Sequence, residues 1–166
     1  MSTTVITALR PPPDKETGDH VLVVADWALD PHAVVAELVQ RASGREITWS
    51  LLVPAWLHGL DWAGDPYVSY PCAETALLTL RELAVQAGLA VDLAILGDHD
   101  PVTAVGDACA ALRCDAVLLC TRHRRVPRRH PLDLAHRIHG ASRVPVTHAQ
   151  LPAVGRGHCA PVANAA

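Results

Sequence analysis

Between residues 122 and 130 the chain reads RHRRVPRRH, which places Arg122, Arg124, Arg125, Arg128 and Arg129 alongside His123 and His130. Guanidinium groups at this density can grip phosphate or carboxylate oxygens in bidentate pairs. The plainer alternative is a solvated basic loop paired with the chain's own carboxylates, as most charge runs are. Asp26 is the second residue able to do chemistry. It ends the apolar run Val21-Leu22-Val23-Val24-Ala25. A carboxylate there either faces a ligand or hydrogen-bonds the turn that follows.

Other groups carry weaker signals. His136 and His139 stand three residues apart near His130 and Asp133, a spacing that can share a metal. With ten histidines in the chain such pairs arise by chance, and no metal site is assigned. The five cysteines are Cys72, Cys109, Cys114, Cys120 and Cys159. They form no CxxC pair, and their odd number fits a disulfide framework poorly, so a reduced chain is expected. Cys120 neighbours cationic residues that would activate an exposed thiol, but it ends an apolar run and reads as packing. Trp56, Trp62, Tyr67 and Tyr70 belong to a long segment, 54–71, that lines a pocket, meets a partner or covers one end of the fold. There is no GxSxG elbow, no Walker A loop and no GxGxxG after a strand, so no catalytic residue is assigned and the chain reads as a non-enzyme.

The elements that must position these residues alternate regularly. Half of the 166 residues are hydrophobic, enough for one domain with a full core. The net charge of −3 provides no global field towards nucleic acid or membrane. No apolar run reaches the roughly 20 residues of a membrane span, and no signal-peptide pattern opens the sequence, so a cytoplasmic location is expected. Apolar strand-like runs fall at 20–25, 46–53, 89–96, 116–120 and from Val144 onward. Helical periods lie between them, at 30–42, 71–87, 101–112 and 131–139. Asp30-Pro31 and Asp100-Pro101 are both cap-and-first-turn signals, and Gly140 is expected to stop the last helix. Five strands alternating with helices predict an α/β fold, a parallel sheet with helices on both faces. Pro145 argues that the last strand lies at an edge. Residues 1–19 read as a disordered or loosely docked arm, 20–151 as the domain and 152–166 as a disordered tail.

The segments VLVVAD (21–26), GDHDPVTAV (97–105), CDAVLLCTRHRR (114–125) and ASRVPV (141–146), in that order, resemble the universal stress proteins. The resemblance covers about residues 20 to 150. It implies a Rossmann-like open five-stranded parallel sheet of order 3-2-1-4-5 and a homodimer through the fifth strand, here Val144 to His148. Many members bind ATP through G-x-x-G-x9-G-(S/T) after the fourth strand, with an Asp at the end of the first. Asp26 matches that Asp and would hold ribose or adenine. The first two motif glycines fall on Cys120 and His123, and the closing Gly-Ser falls within Leu132-Asp133-Leu134. No glycine of the loop is present, and Asp133 adds a carboxylate where phosphate would lie. The candidate nucleotide or anion site is therefore Asp26, Val53, Arg122, Arg124, Arg125 and Asp133. The sequence as a whole reads as a cytoplasmic, non-enzymatic stress-adaptation protein without cofactor, binding a protein partner or a second copy. The alternative is an ATP-binding sensor that uses Asp26 and the arginines.

Overall fold

Two strands that are apolar at almost every position lie side by side at the centre of the sheet, because only burial on both faces removes all their side chains from water. They are β2 (Asp19–Ala25) and β5 (Ala116–Arg122), parallel, with Val21 opposite Ala116 and Ala25 opposite Cys120. The computed structural model describes residues 4–6, 19–57, 67–123 and 131–154. In chain order the other elements are β1 (Thr4–Ile6), α1 (Pro31–Ala42), β3 (Ile47–Pro54), α2 (Tyr70–Gln86), β4 (Ala90–Gly97), α3 (Pro101–Leu112), α4 (Pro131–Ser142) and β6 (Val146–Leu151).

Across the sheet the order is β1-β4-β3-β2-β5-β6. The five strands β4, β3, β2, β5 and β6 are all parallel, which is the expected 3-2-1-4-5 arrangement. The first strand is an addition. Residues 1–19 were expected to lie outside the sheet, yet Thr4–Ile6 pairs antiparallel with Ala94–Leu96 along the outer edge of β4. Three consecutive β-branched residues suit that place, and the pairing satisfies backbone groups on β4 that an open edge would leave unpaired.

Side-chain alternation divides the core in two. Val23 and Ala25 of β2, with Leu118 and Cys120 of β5, face α1 and α2 through Val34, Leu38, Ala73, Leu77, Leu80 and Ala84. Leu22 and Val24, with Val117 and Leu119, face α3 and α4 through Ala104, Val105, Ala108, Cys109 and Ile138. Trp49, on β3, is the largest fully buried side chain, in the layer beneath α1 and α2. Its indole N–H is buried without a hydrogen-bond partner among the described residues. Val39, an apolar residue of α1, is exposed.

Both Asp-Pro signals mark helix starts. Asp30 accepts from the His32 N–H at 3.0 Å, and Asp100 accepts from the Val102 N–H at 3.2 Å and the Thr103 hydroxyl at 2.7 Å. Burial works against the charge on Asp100, but the Thr103 hydroxyl, the backbone N–H groups of Val102 and Thr103, and Arg137 together hold its carboxyl below the usual range. The stop of α4 departs from expectation. Gly140 lies inside the helix, which runs on to Ser142, and Arg143 at φ 58° follows. An interior glycine costs only about 1 kcal/mol and does not itself end a helix; a left-handed residue does. Pro145 also precedes β6 instead of sitting in it, and its carbonyl accepts from the Val117 N–H. β6 is nonetheless an edge strand, bonded only to β5 among the described residues.

Candidate functional site

In an open parallel sheet a ligand crevice forms beyond the carboxyl ends of the strands, where the strand order reverses. Here that point lies between β2 and β5, and Asp26 and Arg122 stand on its two sides. Asp26 follows β2 directly, and its N–H bonds the carbonyl of Cys120. Its carboxylate is only 5% exposed. One oxygen accepts from the Ala28 N–H at 3.0 Å and the other from the Arg122 Nε at 3.0 Å. A buried carboxylate requires such partners, since desolvation without compensation costs several kcal/mol. Arg122, the last residue of β5, is about a third exposed and supplies the opposite charge.

The structural alternatives for both residues are therefore seen together: Asp26 bonds the turn that follows it, and Arg122 pairs with a carboxylate of its own chain. The remaining expected site residues are not gathered with them in the same way. Val53 is 1% exposed and packs in the core layer beneath α1 and α2. Asp133 falls in the first turn of α4. Arg124, Arg125, Arg128, Arg129 and His130 lie outside the described residues, as does Trp62.

The segment after β6 adds a feature that sequence reasoning did not assign. The tail was expected to leave the domain at 152, yet its first residues return across the carboxyl end of the sheet to the β2–α1 loop. The Asp30 N–H bonds the Pro152 carbonyl at 3.0 Å, the Val154 N–H bonds the Ala28 carbonyl at 3.0 Å, and Leu29 bridges Ala153. To reach that loop from β6 the chain must pass the end of β5, so this short crossing lies beside the Asp26–Arg122 pair. The only sequence signal was the apolar pair Ala153-Val154 before the Gly-rich end. On the other side of Asp26, the Trp27 indole donates to the Trp56 carbonyl at 2.7 Å, tying down the start of the 54–71 segment. Tyr67 and Tyr70 contact each other with ring centroids 5.7 Å apart, and Tyr67 is exposed.

The other candidate groups take structural places. Cys120 is fully buried, and burial, helped by the charge of Glu37 and opposed by that of Arg41, pushes its thiol up to about 12. That thiol is inert at neutral pH. The His139 ring bonds the Val144 carbonyl at 2.8 Å, bracing the turn into β6. Among the described residues no three His, Cys, Asp or Glu side chains come together as a metal site. Cys72 corrects the expectation of a chain free of disulfides: it is disulfide-bonded, while Cys109, Cys114 and Cys120 are free. An odd total is no bar when some cysteines simply pack as small hydrophobes. No helix among the described residues is long and apolar enough to cross a membrane.

No protein-family model matches the chain, and no curated protein matches it. Solved structures do match its fold. A universal stress protein from Archaeoglobus fulgidus superposes with a TM-score of 0.52 at 14% identity, covering 78% of this chain and 92% of that one. A universal stress protein family protein from Arabidopsis thaliana, solved with AMP bound, gives 0.51 at 14% identity, covering 80% and 92%. A universal stress protein solved in complex with cAMP gives 0.50 at 11% identity, covering 82% and 99%. The described residues thus form a domain with the fold of the universal stress proteins.

Proposed function

We propose that this chain is a non-catalytic member of the universal-stress-protein type that acts in stress adaptation by binding a partner, without a resident nucleotide. The observation that carries this reading is the Asp26–Arg122 pair at the strand-order reversal. In the resembling proteins the first-strand carboxylate faces a nucleotide. Here a guanidinium of the same chain takes up that carboxylate. His123 stands where the second glycine of the loop would bring a backbone N–H close to phosphate, and a side chain there impedes the approach; Cys120, at the first glycine position, is buried in the core.

AMP and cAMP in the two similar structures favour one rival, a nucleotide sensor that uses the arginines. Titration calorimetry with ATP and with inorganic triphosphate, each at low and high salt, separates the two. Arginine side chains must first be ordered, at about 0.5–1.5 kcal/mol each, whereas a glycine loop offers donors already aimed. The expected result is weak binding, equal for both ligands and abolished by salt. Tight ATP binding that survives high salt and exceeds triphosphate binding would establish the rival.

Assembly belongs to the same reading. β6 offers a strand edge to a second copy through Val146–His148, the part of the expected Val144 to His148 contact that lies in the strand. Burial lowers the basicity of His148, and its ring meets the Thr121 hydroxyl at 2.7 Å, so it brings no charge to that edge at neutral pH. Light scattering above micromolar concentration is expected to give twice the chain mass; a monomer there rules the edge pairing out.

A further inference from the structure

At the amino-terminal end of the sheet, opposite Asp26, two thiols face each other. Cys109 lies in the last turn of α3, and Cys114 lies just before β5. Their sulfurs are 2.9 Å apart, closer than two sulfurs normally rest without bonding. The backbone between them sets this approach. Arg113 adopts the left-handed conformation, φ 51° and ψ 48°, and its N–H bonds the Cys109 carbonyl at 3.0 Å. That turn folds Cys114 back over the helix end. The next residue, Asp115, is anchored to β2: its N–H bonds the His20 carbonyl and its carboxylate accepts the His20 N–H. The pair is thus clamped from both sides. A non-glycine residue held at positive φ marks a conformation that the surroundings impose.

We propose that Cys109 and Cys114 form a hydroperoxide-reactive dithiol that closes to an intramolecular disulfide. The Cys114 sulfur, as thiolate, attacks one peroxide oxygen. The O–O bond breaks, a sulfenic acid forms on Cys114, and the departing oxyanion takes up the proton Cys114 had released. Cys109 then attacks the Cys114 sulfur; the S–S bond forms, the S–O bond breaks, and hydroxide leaves with the Cys109 proton as water. The two thiols together give up two electrons, which reduce hydrogen peroxide to two waters.

Several observations assign these roles. Cys114 and Cys109 are both nearly buried, at 6% and 8% exposed, and Cys114 is flanked in the chain by the exposed Arg113 and Asp115. Cys114 is also the more acidic of the two. The hydrogen bond it shares with Cys109 holds its thiol below the usual range, aided by its own backbone N–H and opposed by burial and by Asp115. The same hydrogen bond, with burial and the Cys114 charge, raises Cys109 and makes it the resolving thiol. Cys120 lacks these conditions, being fully buried with a raised thiol. None of this chemistry depends on how the Asp26 crevice is used.

The test treats the full chain, thiols initially reduced, with hydrogen peroxide, then blocks remaining thiols under denaturing conditions and digests with trypsin without reductant. Trypsin cuts after Arg113, so the proposed bond joins fragment 82–113 to fragment 114–122. The expected result is loss of alkylation at Cys109 and Cys114 and appearance of that joined pair, with Cys120 still alkylated. The joined pair should be retained in Cys120→Ser and lost in Cys114→Ser. Undiminished alkylation of both thiols, or a bond traced to Cys120 in the wild type, overturns the proposal without requiring any variant to fold.

Discussion

Replacing Arg122 by alanine is expected to lower the unfolding free energy by about 2–3 kcal/mol, below the 3–5 of a fully buried broken pair because Arg122 is partly solvated. The variant leaves the Asp26 carboxylate 5% exposed in the native chain and without its guanidinium. The reverse change is expected to cost less. Asp26→Asn keeps an oxygen for the Ala28 N–H, and the guanidinium left behind already reaches water, so about 1 kcal/mol is lost. Urea unfolding of both variants reads the asymmetry directly. Equal losses below about 1 kcal/mol would mean that the pair behaves as a surface salt bridge. The double variant should then fall short of the sum of the two, since both changes act on one interaction.

Trp49→Ala is expected to be the most damaging single change in the core, at about 3–5 kcal/mol, because it opens a cavity among Leu38, Leu77 and Leu80. Trp49→Phe should behave very differently. The lost ring volume costs stability, but the buried indole N–H, which has no partner, disappears with it, and leaving such a donor unsatisfied costs about 1–3 kcal/mol. The two terms oppose each other, so Phe is expected within about 1 kcal/mol of wild type. Far-ultraviolet circular dichroism in urea is the proper measurement, since the substitution alters fluorescence. A Phe variant as unstable as the Ala variant would show that the N–H is satisfied after all.

The parts of the fold set by burial were legible in the sequence. Val21 to Ala25 and Ala116 to Cys120 are apolar at every position, and such runs have no stable place except the middle of a covered sheet. Asp30-Pro31 and Asp100-Pro101 announced their helices because cap chemistry is local. What was not legible depends on distant partners. Nothing in Thr4-Val5-Ile6 says that β4 has a free edge nearby, and nothing in Pro152-Ala153-Val154 says that the β2–α1 loop has carbonyl and N–H groups to offer. Asp26 and Arg122 were both singled out as site residues, yet their contact spans most of the chain and becomes visible only when β2 and β5 are placed side by side. The thiol pair was missed because no metal-like spacing marks it; the left-handed turn at Arg113 creates it.

The short antiparallel strand β1 has a consequence for how copies of this chain associate. A parallel sheet with two bare edges could add neighbours at either end, and head-to-tail addition of that kind does not close. Among the described residues β1 covers part of one edge with three residues, which present too little unpaired backbone to recruit another strand. Among the described residues, growth by strand addition is left with β6. A surface that can meet only its own counterpart forms a two-fold contact, and a two-fold contact uses up both edges when it forms. On the β6 pairing proposed above, assembly through the sheet is self-limiting: it stops at a closed pair and does not extend into a filament.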